Sequence, residues 1–600
     1  MRSSIKFIFV LFFCLSFGTY SLKIIETSFG KLRGITDYSD QNNRKHIFKS
    51  VPFAQPPVGK LRFEIPQSPK KWKGVRDASK YSPACAIDGT ITSYHPEKIS
   101  EDCLYLNIFT SEKCLNQSCP VIVYFHGGAF SSDSAVMFPD EFILERYVGQ
   151  GVVFVIPAMR LGVFGLFNLD NESETPKNLL VHDCVSALKY VHSEIRNFGG
   201  DPKKVTIMGH SSGAILTQEL GLSMKIDPEM KLFQQAISLS GYLAPAEEQT
   251  ISTYSLEITD RLGCYSIGSR LSVIKECMKL ISTEDLLKAQ KDMQREGRKF
   301  NTISLGEPFA DETKTRRENL EKVPPRRIMI GSTEYEFGRF DAKESMDHFA
   351  DIENPEEVTQ KYIEDVKNNK TQAVHLSNVR IFLSAIMSST AVTNSGGEAY
   401  IYETRQKPFS GHISDMIYFI GIHGRNMTDD EKLVDSVFTK MLVNFTKMEA
   451  PLSNFEPFDP SRSNFLALEF DTENGIKPHM EDDYHEEIVD YWFINMTQFD
   501  LEVSRQKGQK KKLTTKPTNS ITTQTTTSDS VSANLSWTET TNTIIIEAST
   551  IGKIKESSES IISQWWFYLI IVLVILIVIC LFYTIKQCRK DEERRPLLLD

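Results

Sequence analysis

Apolar residues gather in a few distinct patterns along this chain, and each pattern predicts a different kind of element. Phe7–Leu15 is an unbroken apolar run behind Arg2 and Lys6, with the small residues Ser16, Gly18 and Ser21 after it. That order predicts a signal peptide over residues 1–20, because the run is too short to cross a bilayer. Trp565–Ile585 is almost entirely apolar and, at about 21 residues, long enough to span. It predicts a transmembrane helix over 564–585, with Trp565, Trp566 and Tyr568 at one interface and Tyr583 near the other. Lys586, Arg589, Lys590, Arg594 and Arg595 follow, which places a tail over 586–600 in the cytosol and the body of the chain in the lumen or outside the cell. Between 505 and 563 the chain is rich in Thr and Ser and poor in large apolar groups. Such a segment buries too little surface to fold and is expected to be a disordered, O-glycosylated stalk.

Inside the remaining segment, 21–504, short apolar runs alternate with longer periodic ones. Val205–Met208, Val121–Phe125 and Ile328–Ile330 read as buried strands, and Ala214–Leu220 as the start of an apolar helix. Between the first strand and that helix stands Gly209-His210-Ser211-Ser212-Gly213. Gly-x-Ser-x-Gly at a strand-to-helix turn is the pattern of a nucleophile elbow, in which glycines let strand and helix approach closely around a strained serine. Acyl transfer by Ser211 needs three further parts: a base for its proton, an acid to orient the base, and N–H donors for the oxyanion. The run His126-Gly127-Gly128 after the strand Val121–Phe125 offers such donors at Gly127 and Gly128, and Ser212, next to the nucleophile, offers a third.

Composition narrows the picture. The chain has 600 residues, 41% hydrophobic and 24% charged, enough for a large core. Its formal net charge is −10, which argues against nucleic acid as a partner. Of ten cysteines, Cys14 leaves with the signal peptide, and Cys580 and Cys588 belong to the span and tail. The seven at 85, 103, 114, 119, 184, 264 and 277 lie in an oxidising compartment, and Cys184, in a helical apolar pattern, is expected to be a buried free thiol. Asn-x-Ser/Thr sequons at Asn116, Asn171, Asn369, Asn426, Asn444, Asn495 and Asn534 all fall on the expected lumenal side.

Longer stretches then point to one family. Ser50–Cys85, "SEDCLYLNIF" from Ser100, "VIVYFHGGAF" from Val121, "MRLGVFGLFNL" from Met159 and "NFGGDPKKVTIMGHSSGA" from Asn197 resemble the type B carboxylesterases, the cholinesterase-like branch of the α/β-hydrolases. The resemblance runs from about Lys23 to about Ser504. It implies an α/β-hydrolase fold: a central, mostly parallel twisted sheet flanked by helices, with a helical insertion, roughly 250–410, over an active-site gorge. It implies disulfides Cys85–Cys103 and Cys264–Cys277, with Cys114 and Cys119 left as candidates for a small extra loop. It also implies structural ion pairs between Arg62 and Glu101 and between Arg160 and Asp183.

The resemblance assigns the remaining catalytic parts. "GSTEYEFG" is similar to the family's Gly-x-x-x-x-Glu-Gly, which makes Glu336 the acid and leaves Glu334 as surface charge; Phe337 stands where the family has glycine. "HISDMIYFIG" is similar to the family's histidine segment, which makes His412 the base, with Asp415 three residues on; His423 is left as a loop or surface histidine. In chain order Ser211, Glu336 and His412 follow the α/β-hydrolase sequence of nucleophile, acid and base. Two residues depart from the family: His210 replaces the usual glutamate before the serine, and Ser212 the usual alanine after it.

The expected function is therefore that of a membrane-anchored serine carboxylesterase acting on carboxylic esters of small molecules, with no metal or organic cofactor. Anchored relatives are associated with the assembly of modular small molecules such as acylated ascarosides and glucosides, so acyl transfer to an alcohol or amine is a variant. The alternative, a catalytically idle neuroligin-like adhesion protein, is disfavoured because the three catalytic residue types are present and the terminal Leu-Leu-Leu-Asp does not suit a PDZ groove. A choline esterase is disfavoured because Tyr94 stands about where that branch has tryptophan. In the tail, Glu593 followed by Leu597-Leu598 resembles an acidic dileucine signal read by sorting adaptors. The expected location is an endosomal, lysosomal or lysosome-related membrane first and the plasma membrane second.

Overall fold

The computed structural model describes residues 22–514, apart from 39–42, 88, 90–95, 172, 246–249, 304, 312 and 347–348. The segments expected to form the signal peptide, the stalk beyond 514 with Asn534, the membrane span and the tail with Glu593, Leu597 and Leu598, together with Tyr94, lie outside the described residues. Among the described residues no helix is long and apolar enough to cross a membrane.

One large sheet organises the fold. Its strands in chain order are β1 (Leu22–Glu26), β2 (Lys31–Asp37), β3 (Lys45–Pro52), β4 (Tyr105–Ser111), β5 (Cys119–Phe125), β6 (Val153–Pro157), β7 (Gly200–His210), β8 (Gln235–Leu239), β9 (Arg327–Thr333), β10 (Glu398–Thr404), β11 (Phe465–Leu468) and β12 (His479–Glu481). In space they run β1-β2-β3-β4-β6-β5-β7-β8-β9-β10-β11-β12, with the short strand Val75–Asp77 pairing on β2. From β6 to β11 every pairing is parallel, and antiparallel pairs close both edges. The parallel strands are buried on both faces, which is why their sequences read as continuous apolar runs rather than alternating ones.

Helices cover the sheet. Three of them matter for the site: α1 (Leu179–Glu194), α2 (Ser212–Leu222) and α3 (Leu376–Asn394). All eleven residues of α2 are buried, so it has no polar face and shows almost no amphipathic signal. Its one acidic group, Glu219, is paired with Arg316 at 2.8 and 3.0 Å, which removes the cost of leaving a charge unmatched in the core. The segment 250–410 is rich in helix, but it also supplies β9 and β10 to the sheet, so it is not a separate helical cap.

The cysteines and ion pairs fall as follows. Cys85–Cys103, Cys114–Cys119 and Cys264–Cys277 are bonded, and Cys184 is free, buried on α1, its thiol pushed well up by burial and by Asp183. Arg62 forms a two-pronged bond with Glu101 at 2.7 and 2.5 Å, and Arg160 with Asp183 at 2.9 and 2.7 Å. Of the sequon asparagines described, all are exposed except Asn444, which is half-buried and donates its amide to the Pro451 carbonyl at 3.2 Å.

The boundary expected at 504 falls inside a helix, α4 (Thr497–Thr514). Asp500 on α4 accepts the Glu353 and Asn354 N–H groups at 3.0 and 2.8 Å, and Lys507 pairs with Glu357 at 2.7 Å. These polar contacts carry the helix past the point where the apolar pattern stops.

Candidate active site

The sheet order brings the candidate residues together. β5, β7, β8, β9 and β10 are consecutive parallel neighbours, so their C-terminal ends open on one edge. Ligands in open parallel sheets bind at that edge. Gly127 and Gly128 follow β5, Ser211 follows β7, Glu336 follows β9 and His412 follows β10. Residues about two hundred positions apart are thereby placed within hydrogen-bond reach.

The turn at Ser211 is strained. Its φ and ψ are 57° and −124°, outside the regions that residues with a side chain favour. The strain is held by close packing and by the Ser211 N–H bond to the Leu239 carbonyl at 3.0 Å. A Cβ at Gly209 would stand 2.1 Å from the Gly213 carbonyl oxygen, and one at Gly213 would stand 2.1 Å from that of Phe125. Both glycines are therefore needed for close approach of β7, α2 and the end of β5.

His412 Nε2 lies 2.9 Å from Ser211 Oγ, and His412 Nδ1 lies 2.7 Å from Glu336 Oε2. Glu336 is buried, and its second oxygen accepts the Thr333 N–H at 2.7 Å. The two loops are tied by the His412 N–H donating to the Glu336 carbonyl at 2.8 Å. Glu334 points elsewhere: its carboxylate bonds Tyr335, whose hydroxyl it pushes up. Gly127 and Gly128 line the same cleft of about 430 Å³ as Ser211 and His412. Among the described residues the N–H groups of Gly127, Gly128 and Ser212 donate to no protein acceptor. A Cβ at Gly127 would meet the His210 carbonyl at 3.0 Å, and Gly128 has φ +104°, so the loop is open to glycine at both places.

The carboxylesterase family model matches residues 21–492. The chain belongs to the carboxylesterase family. Gut esterase 1 of Caenorhabditis elegans is 31% identical over 358 residues, 58% of this chain and 60% of that protein. Juvenile hormone esterase of Tribolium castaneum is 34% identical over 276 residues, 45% of each chain, and para-nitrobenzyl esterase of Bacillus subtilis 34% over 309 residues, 50% of this chain and 59% of its own. The chain spans about half to three fifths of the length of these relatives.

Three residues around the cleft have no role assigned to them by the sequence. His423, expected to be a loop or surface histidine, does stand in a loop, but half-buried where that loop lines the cleft with Ser211. Asp133, which the sequence did not single out, lines it from the glycine-loop side. Phe337, noted only as a replacement for glycine, lies over the His412 ring with centroids 4.0 Å apart. None of the three has a local signal; each is placed by its loop.

Burial pushes two ionisable groups beside the site towards their neutral forms. His210 donates Nε2–H to the His412 carbonyl at 2.8 Å, and burial, helped by the neighbouring His412, pushes it down to about 3. Asp415 is fully buried, and burial, reinforced by the charge of Glu336, pushes its carboxyl well up. Among the described residues, one Asp415 oxygen has no protein partner, which fits a carboxyl pushed towards its neutral form by burial.

Proposed function

We propose that this chain is a serine carboxylesterase in which Ser211 is the nucleophile, His412 the general base and acid, and Glu336 the group that orients the imidazole. The observation that carries the reading is the continuous relay from Ser211 Oγ to His412 to Glu336, at 2.9 and 2.7 Å. In the first step His412 Nε2 takes the Ser211 proton as Oγ attacks the ester carbonyl. Glu336 accepts the Nδ1–H throughout and stabilises the imidazolium. The carbonyl oxygen becomes an oxyanion facing the N–H groups of Gly127, Gly128 and Ser212, each worth roughly 3 kcal/mol of barrier. His412 then returns its proton to the leaving alcohol and the C–O bond breaks. Water, or an alcohol or amine, gives a proton to His412 and attacks the acyl-enzyme, which releases acid, ester or amide and restores Ser211.

The names of the relatives support ester hydrolysis and leave the acyl and alcohol groups open. Small-molecule esters are the proposed substrates, with acyl transfer as the variant that a water-poor cleft would favour. The ends carry a further proposal: a signal peptide, a stalk, a single span and a dileucine tail would hold the esterase on the lumenal face of an endosomal or lysosome-related membrane. The chemistry is tested by incubating wild type and Ser211→Ala with a fluorophosphonate probe and a simple aryl ester. Labelling and turnover are expected in the wild type only; equal labelling and turnover in both would end the serine-hydrolase reading.

A further inference from the structure

The catalytic relay explains one edge of the His412 ring but not its two faces. Phe337 covers one face, with centroids 4.0 Å apart and planes 29° apart. His210 lies on the ring from within, at 5.0 Å and 38°, and Phe419 packs behind His210 at 5.7 Å. On the outer side, His375 stacks on Phe337 at 5.9 Å and 25°. Four contacts thus join five rings in one pile, His375, Phe337, His412, His210 and Phe419, with the candidate base in the middle.

The pile is anchored at both ends. His375 Nδ1 lies 3.2 Å from the Ser377 N–H and 3.0 Å from Glu344 Oε2, so it caps α3 as an acceptor when unprotonated and pairs with Glu344 when it carries the proton. Asn378, buried on α3, accepts the Phe337 N–H at 3.0 Å and donates to the Tyr335 carbonyl at 3.0 Å. These bonds fix the backbone that carries Phe337. At the inner end His210 is held by its bond to the His412 carbonyl. Phe337 is 44% exposed, as single apolar residues often are; it is its contact with the His412 ring that singles it out.

We propose that Phe337 is a positioning residue for the reaction, holding the His412 imidazole by its face and stabilising the imidazolium with its aromatic π-cloud. This rests on the proposed role of His412 as the base. When the base takes the Ser211 proton it becomes a cation, and a ring face within about 6 Å attracts a cation. The attraction exists in the transition state and is weak for the neutral imidazole, so it acts on kcat rather than on substrate binding. Ring stacking also limits rotation of the imidazole about its own bonds, a freedom that the edge bonds to Glu336 and Ser211 restrain only in the ring plane. The inner neighbour suits this arrangement, because a neutral His210 does not repel the cation that forms beside it.

The test compares wild type with Phe337→Leu, Phe337→Gly and Phe337→Trp on an aryl ester, each first titrated with a fluorophosphonate to count competent sites. Leucine keeps bulk and apolar surface without the ring face; tryptophan keeps the face. Phe337→Leu is expected to lower kcat about threefold with KM within about twofold, the size of one cation–aromatic contact at a partly exposed site. Phe337→Gly, which also frees the ring, is expected to lower kcat about tenfold. Phe337→Trp is expected to match wild type, because tryptophan offers the best face. Equal kcat in wild type and Phe337→Leu would overturn the proposal, as would a leucine variant and a tryptophan variant that fall together. A failure of the reading beneath it looks different: the wild type itself would then show no probe-reactive serine.

Discussion

At the scale of single residues, the environment of a side chain decides its chemistry more than its type does. Two histidines sit side by side, His210 and His412, with ring centroids 5.0 Å apart. One is nearly fully buried on the cleft wall beside the nucleophile, as a neutral donor to the His412 carbonyl; the other stands between Ser211 and Glu336. The neutrality of His210 has a consequence for stability. Between pH 6.5 and about 3 the unfolded chain takes a proton at this position and the folded chain does not. Protons therefore favour the unfolded state, and stability is lost as the pH falls through that window. From this group alone the loss by pH 5 is about 2 kcal/mol. His210→Gln keeps a donor for the His412 carbonyl without the titration. Its unfolding free energy, measured in urea at pH 7 and pH 5, is expected to fall less than that of wild type by about that amount. Identical pH dependence in the two proteins would show that His210 is not a buried neutral base.

At the scale of elements, close approach of backbone sets the rules at the elbow. β5, β7 and α2 meet where Gly213 stands, and the nearest atom to an added Cβ there is the Phe125 carbonyl oxygen at 2.1 Å. That atom belongs to a strand paired on both sides and cannot move aside. Gly213→Ala is expected to cost at least about 3 kcal/mol and to separate the glycine loop from Ser211. Gly424, with open space around it, is the matched control. Calorimetry should show a large fall in Tm for Gly213→Ala and almost none for Gly424→Ala; similar Tm values would contradict the packing described. The same elements show how far local pattern reaches. Val205–Met208, Val121–Phe125 and Ile328–Ile330 are legible as strands because parallel strands buried on both faces are apolar without a break. The end of α4 is not legible, because polar bonds from Asp500 and Lys507 hold it rather than an apolar stripe.

At the scale of the whole molecule, all described structure lies between residues 22 and 514, and the segments proposed to address and anchor the chain lie on either side of it. The described body has its own core and its disulfides, so a chain ending at Thr514 is expected to fold and to enter the medium as a soluble, fluorophosphonate-reactive protein. The full chain is expected to stay in internal membranes, and Leu597→Ala with Leu598→Ala to move it to the cell surface. Fractionation and surface labelling of cells making the three forms check both. A truncated chain retained in membranes would argue against anchoring by 564–585, and an unmoved double variant against the tail signal.

What the sequence by itself determined is the set of parts that depend on neighbours in the chain. A glycine-framed serine between strand and helix, a glycine pair after another strand, and apolar segments at the two ends are readable locally, since strand and turn obey short-range periodicity; the carboxylate Glu336 and the histidine His412 are reached only through the resemblance to the family's motifs. The tertiary structure alone decided what stands across from what. It closed the Ser211–His412–Glu336 relay, set His423 and Asp133 on the cleft wall, buried His210 and Asp415 so that each is pushed towards its neutral form, and laid Phe337 over the His412 ring. The physical reason is that these relations are set by strand order and loop closure across the sheet, and proximity in space between residues many positions apart leaves no periodic trace in either segment.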